Sequence, residues 1–151
     1  MSAAALLPSH ATGVEGTGAG DSKQARVFEV KPAELDEATI AQLQDGMAAE
    51  KFSAQELARK YLERIEEIDK RGPAVNSIIE LNPDALSVAA SLDSERKQKG
   101  PRGPLHGIPI VIKDNIDTGD RMQTTAGSLA LMGSHAAKDS FVARKLREAG
   151  A

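Results

Sequence analysis

Lys113 stands at the end of an unbroken apolar run, Ile108-Pro109-Ile110-Val111-Ile112, and opens the polar string Lys113-Asp114-Asn115. A short run that is apolar at every position reads as a strand buried on both faces. Pro109 lies near its start, where a missing N–H is tolerated. A lysine at the end of such a strand loses hydration, and lost hydration favours the neutral amine. The neutral amine is the form that accepts a proton, so Lys113 is the candidate general base. The plain alternative is a lysine that projects into water or pairs with Asp114. Asp114 and Asn115 read as groups that hold the backbone or Lys113 in place.

The other polar residues offer less. The chain contains no cysteine, which excludes disulfides, thiolate metal sites, iron–sulfur clusters and thiol nucleophiles. His10, His106 and His135 are too scattered to propose a metal site. His106, inside Pro104-Leu105-His106-Gly107, reads as a structural histidine with a satisfied ring. Ser128 reads as a loop serine making a local backbone hydrogen bond. Glu66-Glu67 belongs to the solvated face of a helix. The glycines at 13, 16, 18 and 20 neither follow a strand nor open a helix, so a phosphate loop fails its context test.

These residues need elements to position them. Ile40, Leu43 and Met47 share one face of a helix over about Asp36 to Ala49, with Gly46 favouring a bend or an early finish. Ser53-Ala54-Gln55-Glu56 has the form of a capping box. Leu57, Tyr61, Leu62, Ile65 and Ile68 extend that helix as an apolar stripe until Gly72-Pro73 stops it. Asn76 to Leu81 is a candidate strand around Ile78 and Ile79. Asn82-Pro83 reads as an N-cap and first helical residue for a third helix ending near Lys99. Gly100-Pro101-Arg102-Gly103-Pro104 is a rigid connection to the apolar run, and residues 122–134 form a Thr/Gly/Ser/Ala-rich loop. A last helix spans about Asp139 to Ala149, with Phe141, Val142, Leu146 and Ala149 as its apolar members and Gly150 as its cap. Helices alternating with strands predict an α/β architecture.

Composition sets the outer limits. Lys plus Arg total 19 and Asp plus Glu 22, a net charge of −3, so the electrostatic footprint of a nucleic-acid binder is missing. Apolar residues at 40 % and charged residues at 27 % fit a soluble globular chain of about one domain. The sequence has no run of about 18 apolar residues, so no transmembrane helix is expected. Residues 1–30 read as a disordered tail, Ala/Gly/Ser/Thr-rich over 1–25; a targeting remnant is the weaker reading, because no Lys or Arg precedes Lys23. Four residues are aromatic, Phe28, Phe52, Tyr61 and Phe141, which leaves the core to aliphatic side chains and alanine.

Residues 104–118, Pro-Leu-His-Gly-Ile-Pro-Ile-Val-Ile-Lys-Asp-Asn-Ile-Asp-Thr, resemble the first motif of the amidase signature family. Thr124-Thr125-Ala126-Gly127-Ser128 and the stretch from Phe141 to Ala151 resemble it too, and the upstream helices and Val75-Asn76-Ser77 fall in the matching order. The resemblance covers roughly residues 35–151. It implies a mixed sheet covered by helices on both faces, and an amide-bond hydrolase with a Ser-cisSer-Lys triad in which Lys113 matches the lysine. The neutral amine would take a proton from the bridging serine, which takes one from the nucleophile; an acyl-enzyme forms and water resolves it.

The family's two serines belong to a Gly-Gly-Ser-Ser-Gly-Gly type of loop that Ser128 and Ser134 do not occupy. Residues 31–151 are therefore expected to be the N-terminal portion of an amidase domain that ends before the catalytic serines, and the chain alone to be inactive. A buried strand over 108–112 needs neighbours on both sides, and the sequence offers one other strand, near Ile78. Other readings are the glutamine-hydrolysing subunit of a transfer-RNA amidotransferase and a truncated, non-catalytic interaction protein. Thr124-Thr125-Ala126-Gly127-Ser128 resembles stand-alone members of the family more than that subunit. The expected partner is a small-molecule or peptide amide substrate, with no nucleic acid, no membrane, no cofactor and no metal. A homo-oligomer is allowed, and the cytoplasm is the expected compartment, with export as the alternative.

Overall fold

The computed structural model describes residues 28–151, so the expected tail over residues 1–30 lies almost wholly outside the described residues. Its first helix, α1, covers Ile40–Ala48. It starts later than the apolar spacing suggests because Thr39 and Gln42 form a capping box of their own: Thr39 Oγ1 accepts from the Gln42 N–H, and Gln42 Oε1 accepts from the Thr39 N–H. A side chain at Gly46 would place its Cβ 2.4 Å from the Phe52 ring, so this glycine lets the ring close over the helix just before it ends.

Helix α2 covers Ala54–Arg64 and opens with the expected Ser53–Glu56 capping box. All four of its leading N–H groups find acceptors. Asp93, from a distant part of the chain, accepts from Ala54 at 2.7 Å and Gln55 at 3.0 Å. Ser53 accepts the next two, through Oγ from Glu56 and through its carbonyl from Leu57. The helix then widens into a π-type segment, Ile65–Arg71, and stops at Gly72 as expected.

Helix α3 covers Ala85–Lys99. Its N-cap is Asp84, not Asn82. Asn82 Oδ1 accepts from the Asp84 N–H at 2.9 Å, which makes a turn ahead of the helix and moves its start past Pro83. Helices α2 and α3 pack together around Leu57, Ala58 and Ala89, and Leu43, Met47, Ala54 and Ile108 complete this core. A short 3₁₀ turn follows over Leu129–Leu131. Helix α4, Phe141–Glu148, is capped by Ser140 and followed by Gly150 at φ +96°. Ala143 is its buried residue; Phe141 and Val142, expected as apolar packing members, are exposed.

No strand forms among the described residues, and the expected α/β sheet is absent from them. Of the run over 108–112 only Ile108 is buried; Val111 is 74 % exposed. Residues 76–81 fare alike, with Ile79 at 70 %. A strand needs a laddered neighbour for its N–H and C=O groups, and residues 28–151 supply none.

Candidate active site

The segment that carries Lys113 is aimed by a buried histidine and two glycines. His106 is fully buried. Its Nδ1 accepts from the Arg102 N–H at 3.1 Å, which leaves Nε2 as the donor to the Leu92 carbonyl at 2.9 Å. The structural reading of this residue holds. Its carbonyl accepts from Arg96 and Gln44, tying the turn to α3 and α1. The end of α4 docks alongside: Leu105 N–H donates to Ala149 and Gly107 N–H to Gly150. A Cβ at Gly150 would sit 2.5 Å from His106 Cα, and its left-handed φ also favours glycine.

From this anchor the chain runs through Ile108 and along the wall of an open cleft of about 980 Å³. The cleft is mostly apolar, with α2, α3 and α4 contributing Tyr61, Val88 and Leu146, and the chain over 77–82 facing 108–116. Lys113 lines it but is exposed rather than enclosed. The described residues thus do not supply the dry setting expected of it.

Asp114 does not pair with Lys113. Its carboxylate accepts from the Thr125 N–H at 3.0 Å, the Thr125 hydroxyl and the Gly127 N–H at 3.2 Å. Its carbonyl accepts from the Ala126 N–H at 3.1 Å. The Thr125 hydroxyl, and then the two N–H donors, hold the carboxyl below its ordinary value. Three consecutive residues are fastened to one, with Ala126 and Gly127 both at positive φ, 50° and 74°. The expectation that Asp114 holds backbone is met, but on a distant loop; Asn115 is exposed and outside this cluster. Ser128 extends the loop through its backbone, donating to the Thr125 carbonyl at 2.9 Å.

Two further ties have no counterpart in the sequence patterns. Arg147 of α4 reaches Asp120 at 2.6 Å and Asp139 at 3.0 Å, and Asp139 in turn accepts from the Gly119 N–H at 2.7 Å, which clamps the loop over 117–122. Glu80 accepts from the Gln123 N–H at 2.9 Å, joining the two sides of the cleft. Neither tie has a periodic spacing, so no local pattern announces it. The Asp114–Thr125 pairing spans 11 residues and has no local signal either. Among the described residues no group of three or more His, Asp or Glu side chains is placed to hold a metal, and no helix is long and apolar enough to cross a membrane.

The sequence profile of the amidase family matches residues 56–151. A protein of Schizosaccharomyces pombe named as an inferred amidase is 43 % identical over 134 residues, covering 87 % of this chain and 22 % of its own length. A glutamyl-tRNA(Gln) amidotransferase component from Methylorubrum populi is 38 % identical over 117 residues, covering 78 % of this chain and 23 % of that protein. Among solved structures, the peptide amidase of Stenotrophomonas maltophilia superposes with a TM-score of 0.75 at 46 % identity, over 79 % of this chain and 24 % of that one. The chain therefore spans less than a quarter of the length of these relatives, and over that span the profile and the superposed fold agree: the chain belongs to the amidase family.

Proposed function

We propose that the protein hydrolyses amide bonds, with peptide amides as substrates and Lys113 as the terminal base of a Ser-cisSer-Lys triad. The observation that carries this reading is the placement of Lys113. It ends the Gly107-to-Ile112 string of the family motif and lines the large apolar cleft next to the loop that Asp114 fastens. In the proposed mechanism Lys113 Nζ takes a proton from the bridging serine while that serine takes one from the nucleophile. The nucleophilic oxygen bonds to the amide carbon, the amine leaves with a proton, and water releases the acid. Of that triad the 151 residues supply the lysine, so the proposal concerns the whole protein. Its remaining chain would close over the exposed lysine and dry it.

The substrate class follows the relatives: the family member named peptide amidase is 46 % identical to this chain, and the amidotransferase component 38 %. The test is Lys113→Ala in the full-length protein. Turnover of a peptide amide should fall by at least about 100-fold, the scale of a lost general base, with the circular-dichroism spectrum unchanged. Lys113→Arg should be as inactive, because a guanidinium holds its proton. An alanine variant that keeps most of its activity overturns the assignment of the base. Glutaminase activity that appears only with added partner proteins overturns the stand-alone amidase reading.

A further inference from the structure

We infer that Asp114 and Thr125 act as one positioning unit that sets the 125–127 backbone as a substrate-binding wall beside Lys113. The inference rests on the amidase reading and deepens it. Four donors converge on one residue: the Thr125 N–H and hydroxyl and the Gly127 N–H reach the carboxylate, and the Ala126 N–H reaches the carbonyl. Ala126 at φ 50° occupies a conformation that costs an L-residue energy, so the loop keeps this shape only while something holds it. The Thr125 hydroxyl is the hinge of the arrangement, since it donates to Asp114 and accepts from the Gly127 N–H at 3.2 Å.

The wall faces the right place. Asp114, Ala126 and Gly127 all line the same cleft as Lys113. A Cβ on Gly127 would meet nothing within 4 Å, so the loop presents open backbone rather than packing into the core. With its three N–H groups held by Asp114 and the Thr125 carbonyl held by the Ser128 N–H, the loop keeps the Ala126 and Gly127 carbonyls to accept from the N–H groups of an extended peptide. Asp114 is the neighbour of the base in sequence, so any movement of the loop is felt at Lys113 without an intermediate. Neither Asp114 nor Thr125 touches the reacting atoms in this scheme. They hold the surface that the substrate chain lies on.

The experiment is a double-variant cycle in the full-length enzyme with Asp114→Asn and Thr125→Val, each close in shape to the residue it replaces. Each single variant should raise KM for a peptide amide about tenfold and lower kcat by less than about threefold, the pattern of lost uniform binding. The double variant should be no worse than the poorer single one, because the two changes break one unit. Asp114→Glu should recover part of the lost KM, since its carboxylate can still reach the Thr125 hydroxyl. Effects that multiply in the double variant overturn the inference, and so does a KM unchanged in both singles. If Asp114→Asn fails to fold, Thr125→Val alone decides on the KM. Failure of the amidase reading shows differently: the wild-type enzyme would then turn over no peptide amide, whereas a Lys113→Ala variant that keeps kcat while the cycle still couples in KM overturns the base alone.

Discussion

Asp69 is an aspartate at the end of a helix and nearly without exposure, at 5 %. Its carboxylate accepts from both the N–H and the hydroxyl of Ser77 at 2.6 Å and from the Ile78 N–H at 3.2 Å, with Lys70 at 3.0 Å. These bonds stabilise a chain reversal in which Ala74 and Asn76 both take φ 54°. The Ser77 hydroxyl, followed by Lys70 and the two N–H groups, draws the carboxyl well below its ordinary value against the opposing effect of burial. Protonation is then harder in the folded chain than in the unfolded one. The stabilisation from Asp69 is complete above the unfolded value near pH 4 and is lost as pH falls from there towards the lower folded value. Asp69→Asn should therefore lower the melting temperature at pH 7 and lose less than the wild type between pH 5 and about pH 3. Thermal melts at a series of pH values check this; equal acid sensitivity in the two proteins would show that Asp69 does not carry it. His106 is the second such residue. His106→Leu strands the Arg102 N–H and the Leu92 carbonyl, and chemical denaturation should register a loss of ~1–3 kcal/mol for the unmade bonds.

The helices were legible where their signals are local. Ser53 and Glu56 announce α2, Gly72-Pro73 ends its continuation, and Gly150 closes α4. The Ile40–Leu43–Met47 spacing shows a face of α1 but not where its cap sits; Thr39 and Gln42 hold that information. The start of α3 lies past Asn82 because an asparagine can cap a helix or close a turn with equal chemistry, and here it closes a turn. Non-local ties stayed invisible. Nothing near Asp93 says that its carboxylate will cap a helix 39 residues upstream. That cap should be worth a measurable amount: Asp93→Ala leaves the Ala54 and Gln55 N–H groups without an acceptor and should destabilise the chain by ~1–3 kcal/mol. The loss would be read in urea unfolding beside Ser53→Ala, whose own cost should be about 1 kcal/mol. If the aspartate variant costs nothing, water replaces its two bonds and the α2–α3 contact does not depend on it. The two expected strands fail for a different reason. Their β-branched residues are as the sequence suggests, but a ladder belongs to two segments, and neither finds a partner among the described residues.

At the scale of the molecule, one wall is apolar and open. Ile79 is 70 % exposed, Val111 74 % and Leu81 42 %, and they lie along a cleft whose floor is α2 and α3. An apolar surface of this extent marks a face built to be covered. The poverty in aromatics fits this picture: the buried residues are Leu, Met, Ala and Ile, a thin core shared by three helices and one loop. The two segments expected as strands, 76–81 and 108–112, line this one face, which is where a sheet would have to lie if its remaining strands came from elsewhere. The consequence is measurable on the 151-residue chain by itself. It should bind an environment-sensitive apolar dye and associate at micromolar concentration. Val111→Lys, which removes no buried side chain, should weaken both, whereas Leu57→Lys, at the centre of the core, should unfold the chain instead. Light scattering after size-exclusion chromatography separates these results. A monodisperse monomer that ignores the dye would mean that the cleft closes on itself in solution. Lys113 would then be dried by its own chain, and the enclosure that its chemistry requires would need no further sequence.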